Sequence, residues 1–154
     1  MQLAGTSLEA IWGCDMSFSL QGRWTYRSYR NDPALIGDDA QKALQNIFGE
    51  GVFTLAVSGG KVTGTLDMGS GYFLDLTGTV VPVEGGEARI KMVGVGRSGT
   101  PTAGWQYDYH GTDAFTWPNG VNQVPAFVGS VIRAKPHNGS PAGYVASFIA
   151  VRQA

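Results

Sequence analysis

The sequence predicts an all-β protein, with about eight antiparallel strands closed into an up-and-down barrel and one α-helix after the first strand. Two observations predict the strands. From Leu20 onward the chain runs in short stretches rich in Val, Thr, Ile, Phe and Tyr, and these are separated by turn-forming glycine clusters at Ser58-Gly59-Gly60, Gly69-Ser70-Gly71 and Glu84-Gly85-Gly86. Strand-length runs joined by tight glycine turns read as successive hairpins. A third observation closes the sheet. A meander this long leaves two unpaired edges unless its first and last strands meet.

The elements follow in order. Residues Met1 to Ser17 show neither helical nor strand periodicity, although Leu8, Ile11 and Trp12 could share a helical face, so residues 1–18 are read as an N-terminal extension and 19–154 as the barrel domain. The first strand is Ser19 to Tyr29, with Leu20, Gly22, Trp24, Tyr26 and Ser28 on one face and the arginines on the other. Asn31-Asp32-Pro33 ends it. A helix from Asp38 to Phe48 is predicted next, with Asp38 as N-cap, Gln41 completing a capping box, and Ala40, Ala43, Leu44, Ile47 and Phe48 on one face. It is expected to lie across one opening of the barrel as a plug or lid, with packing on the side wall as the alternative. The remaining strands are Val52 to Val57, Lys61 to Met68, Tyr72 to Val83, Glu87 to Gly96, Gly104 to Tyr109, Val124 to Ala134 and Tyr144 to Arg152.

Composition excludes several classes. Eleven basic and 12 acidic residues give a net charge of −1, with no basic stripe for nucleic acid and no lysine-rich membrane surface. No apolar run approaches a bilayer span and the start lacks a basic signal-peptide region, so a cytoplasmic location is expected. Cys14 is the sole cysteine, which excludes an intrachain disulfide and reads as a spectator thiol. His110 and His137 are the only histidines and no third ligand accompanies them, so neither a metal nor a cofactor is expected. Gly94-Val95-Gly96-Arg97-Ser98-Gly99 matches a dinucleotide fingerprint by letters alone. The fingerprint works through a helix N-terminus that meets the pyrophosphate, and Thr100-Pro101-Thr102-Ala103-Gly104 begins no helix, so it reads as a hairpin loop. Asp67 and Asp75 flank the Gly69-Ser70-Gly71 turn and read as solvent-facing carboxylates.

Gly22-Arg23-Trp24 on the first strand and Arg152 at the end of the last carry a family resemblance. This G-x-W with a terminal arginine resembles the signature of the avidin/lipocalin-like (calycin) barrel superfamily. The resemblance implies that Trp24 plugs one end of the barrel and that the Arg152 guanidinium packs across its ring.

The densest polar-aromatic stretch is Gly104 to His110. Period two puts Trp105, Tyr107 and Tyr109 on one face and Gln106, Asp108 and His110 on the other. The aromatic face offers stacking surface with hydroxyl handles, and the other offers acid–base groups. The expected function is binding of a small hydrophobic or aromatic molecule inside the barrel, with Trp105, Tyr107, Tyr109, Trp117, Trp24 and Phe73 as its walls. The loops Gly96 to Ala103 and Gly111 to Gln123 are expected to shape one mouth, capped by Trp117. The alternative is a cyclase or isomerase that uses Asp108, His110, Tyr107 and Tyr109 in the same cavity. A third possibility is an assembly module with a filled interior whose outer face forms a homo-oligomer. The expected partner is a small molecule, not nucleic acid or membrane.

Overall fold

The computed structural model describes residues 18–31, 38–83 and 87–154. Eight strands run β1 (Gly22–Arg30), β2 (Ile47–Ser58), β3 (Lys61–Asp67), β4 (Phe73–Val81), β5 (Arg89–Gly96), β6 (Gln106–Asp113), β7 (Ala126–Arg133) and β8 (Val145–Arg152). Each pairs antiparallel with its sequence neighbours, and β1 pairs with β8, which closes the barrel in the order β1 to β8. This is the predicted all-β up-and-down architecture, an antiparallel barrel consistent with a calycin-like fold. The proposed N-terminal extension, with Cys14, lies outside the described residues apart from Phe18. No helix among the described residues is long and apolar enough to cross a membrane.

Side-chain alternation builds the core. Trp24, Tyr26 and Ser28 on β1 point inward, as do Phe53 and Leu55, Leu74 and Leu76, Ile90 and Met92, Tyr107 and Tyr109, and Phe127 and Val131 on their strands. Burial of each large apolar side chain contributes roughly 1.5–3 kcal/mol. Aromatic rings fill the middle of the barrel. Tyr26 meets Phe53 at 4.8 Å between centroids, Phe53 meets Tyr109 at 5.6 Å, and Tyr109 meets Phe148 at 5.8 Å, mostly edge to face as ring quadrupoles favour.

The one helix among the described residues, α1 (Ala40–Leu44), corrects the expected lid. It is five residues long, its N-cap is Asp39, and none of its residues is buried. Leu44 is 58% exposed. Ile47 and Phe48, assigned by helical period to the same face, instead open β2, where Ile47 pairs with Tyr29 and Gly49 with Ser28. The Asp39 carboxylate accepts from the Gln41 and Lys42 amides, so the cap is real but one residue later than expected. A short helix without a buried face has little to hold it, whereas as a strand residues 47–55 pair with β1 and residues 52–58 with β3.

Antiparallel strands alternate in direction, so connections alternate between the two ends. Residues 31 and 38–46, 68–72, 97–105 and 134–144 gather at one end, and 59–60, 82–83 with 87–88, and 114–125 at the other. This overturns the expected shared mouth. The loops before and after β6 lie at opposite ends because the strand between them crosses the barrel, so Trp117 cannot cap a mouth lined by Trp105.

Candidate functional site

One end is sealed by packing. Trp24 is fully buried at the start of β1, its Nε1 donates to the Leu20 carbonyl at 2.9 Å, and its ring meets Phe127 at 4.9 Å. The Arg152 guanidinium lies 4.4 Å from the indole centroid and donates to the Gln21 and Ser19 carbonyls. The geometry implied by the calycin resemblance is present at these two residues. Outside this seal is a cleft of about 470 Å³ bounded by Phe18, Phe115, Val124, Pro125 and Arg152. Its charged groups are already engaged, Arg152 as described and Asp113 by accepting from the Ala88 amide at 2.6 Å.

The opposite end gathers polar groups within an aromatic collar. Tyr107 and Arg133 are register partners on β6 and β7, both inward and both 8% exposed. Arg133 Nε donates to the Tyr107 hydroxyl at 3.1 Å, and that hydroxyl lies 2.7 Å from His137 Nε2. His137 is held over the rim by a tight hairpin. Its amide donates to the Ser140 carbonyl and the Ser140 amide donates back, while Asn138 and Gly139 take φ of 48° and 77°. Positive φ at both central residues is the type I′ geometry that Asn-Gly favours. Trp105 stacks on the imidazole at 3.9 Å and 14°. Phe48 stacks on Tyr144 at 5.3 Å, and Arg133 sits 5.5 Å from each of these two rings.

The hydrogen bonds have a direction. Because the Tyr107 oxygen receives the Arg133 proton, its own proton is free for His137 Nε2, which puts the imidazole proton on Nδ1. That nitrogen is buried without a partner. The reverse tautomer would strand both the phenol proton and the Nδ1 lone pair, which costs more. Burial, and then the Arg133 charge, holds the His137 pKa below its ordinary 6.5, so the ring is neutral at pH 7. Tyr107 is thus held on both sides, its oxygen accepting from Arg133 and its hydroxyl donating to His137.

The other predicted site residues scatter. Tyr109 lies fully buried in the central ring stack, where desolvation raises its pKa well above 10. Asp108 and His110 stand on the outward face of β6. Asp108 accepts from Gln106 at 3.1 Å, and His110 faces a shallow hollow on the outer wall with Arg89 and Lys91. Phe73 is also outside, between inward Leu74 and the chain turn, with Arg97 over its ring at 5.1 Å. Arg97 pairs with the exposed Asp75 at 2.8 Å, which lowers the pKa of that carboxyl. Trp117 is 68% exposed in the 114–125 loop and meets Phe115 at 5.0 Å. The structure therefore brings Trp105 and Tyr107 together and adds Arg133, His137, Phe48 and Tyr144. The Asn138-Gly139 pair was the available signal for His137, since it announces a hairpin that fixes the residue before it. No group of three or more His, Cys, Asp or Glu residues able to hold a metal ion occurs among the described residues. No protein-family model and no curated protein matches this chain.

Proposed function

We propose that this protein binds a small ring-bearing molecule at the Tyr107 end of the barrel. One observation carries the reading: the Tyr107 hydroxyl, Arg133 and His137 converge inside an aromatic collar at the end of the barrel opposite Trp24. A few convergent polar groups in an aromatic surround are the usual composition of a ligand site. Half-exposed Trp105 and Tyr144, with Tyr72 at 5.9 Å from Trp105, supply flat faces for a ring to stack on. The site is at the rim, because Tyr26, Phe53, Tyr109 and Phe148 occupy the space below it. A ligand here is compact, since a long alkyl chain has no room to descend.

The tryptophans report the two ends separately. In ¹⁵N-labelled protein the Trp105 indole resonance should shift on titration with single- and double-ring aromatics, and the Trp24 indole should not. The shift should be weakened in Tyr107→Phe. Shifts confined to Trp117 would place binding at the cleft beside Phe115 and refute this assignment.

A further inference from the structure

We infer that the ligand of this end is an anion, a compact aromatic carboxylate whose charged group is received by Arg133. The inference rests on the ligand-site reading above but on a different observation, the electrostatic state of Arg133. Arg133 is 8% exposed as a whole residue, and no carboxylate pairs with it among the described residues, where the one ion pair is Arg97 with Asp75. A buried charge is ordinarily paired, because taking it out of water is costly. Three ring faces, those of Phe48, Tyr107 and Tyr144, lie 5.5–5.9 Å from its carbon and offset part of that cost.

Its hydrogen bonds show which way the free charge is turned. Nε is used on the Tyr107 hydroxyl and Nη1 on the Pro141 carbonyl at 3.1 Å. Nη2 makes no hydrogen bond among the described residues, and it is not among the sealed, unpartnered atoms of the core, so it keeps a path to solvent. Two of the three nitrogens thus fix the guanidinium in place, and the third is left for an incoming acceptor. A planar guanidinium held in this way is pre-organised for a carboxylate, while Trp105 and Tyr144 receive the ring attached to it. The neutral state of His137 matters here too, since it adds no competing charge and leaves Arg133 as the cation of the site.

The test compares matched probes on the intact protein. Binding of 2-naphthoate and of 2-naphthamide is measured by the Trp105 indole shift and by calorimetry, at low and at high salt. The expected result is that the carboxylate binds about tenfold tighter than the amide, and that added salt narrows the gap. Arg133→Lys should keep part of the preference and Arg133→Met should abolish it. The wild-type comparison stands even if Arg133→Met fails to fold. Equal or tighter binding of the amide at Trp105 would overturn the anion inference and leave the ligand-site reading intact. Failure of both probes to move Trp105 would overturn both.

Discussion

Replacing Trp24 with alanine should remove the seal of one barrel end, and the structure allows the loss to be divided. The indole is fully buried against Phe127 and Phe18, so a large-to-small change there costs about 3–5 kcal/mol from lost burial and the void left behind. Two contacts inside that figure can be probed separately. Trp24→Phe keeps a ring under Arg152 but leaves the buried Leu20 carbonyl without its donor, at about 1–3 kcal/mol. Arg152→Met keeps the indole and removes the cation over it, at about 0.5–2 kcal/mol, together with the bonds to Ser19 and Gln21. The assay is urea unfolding followed by far-UV circular dichroism, because the variants themselves change the fluorescence. With a slope unchanged from wild type, Trp24→Ala should lower the midpoint most and Trp24→Phe should fall between. A loss below about 1.5 kcal/mol in Trp24→Ala would mean that the end collapses around the void at little cost. The claim that this tryptophan closes the barrel would then fail.

Two further outcomes test the interior and the rim. In an ultraviolet phenolate titration of the native protein, Tyr26 and Tyr109 should stay protonated when exposed tyrosines ionise. Burial pushes Tyr26 up to about 12 and Tyr109 well above 10, so appearance of all six phenolates by pH 11 without unfolding would contradict the packed ring stack. The His137 pKa lies below 6.5 in the folded chain, so the unfolded chain binds more protons as pH falls. The stability this contributes is complete above pH 6.5 and is lost as pH drops through the folded value. His137→Gln should flatten that part of the stability–pH curve, and an unchanged curve would show that the imidazole is not shielded.

The fold was legible because its signals are local. Glycine turns and period-two runs mark each hairpin, and the Trp24 and Arg152 pairing needs only the first and last strands to meet. The lid failed because a helical period over Asp38 to Phe48 competed with strand pairing that depends on β1, a partner invisible in a local window. The site was half legible. Trp105 and Tyr107 stood out by ring content, but Arg133 sits on a strand whose two faces, Phe127-Gly129-Val131-Arg133 and Ala126-Val128-Ser130-Ile132, give no contrast in polarity. Only closure of the barrel decides which face turns inward. His137 lies in a loop, 30 residues from the tyrosine it touches, and no periodicity links them.

The order of the strands also says how the ring must come together. Seven of its eight seams join neighbours in sequence and can form as separate hairpins, while the seam between β1 and β8 must bring the two ends of the sheet together. Arg152 bonds a carbonyl 131 positions earlier in the chain, and closing a loop of that length costs roughly 4 kcal/mol in chain entropy. The guanidinium over Trp24 is therefore a clasp as well as a plug. It sits on the only seam that neighbouring hairpins cannot make, where a small loss of contact would turn a continuous cylinder into a sheet with two open edges.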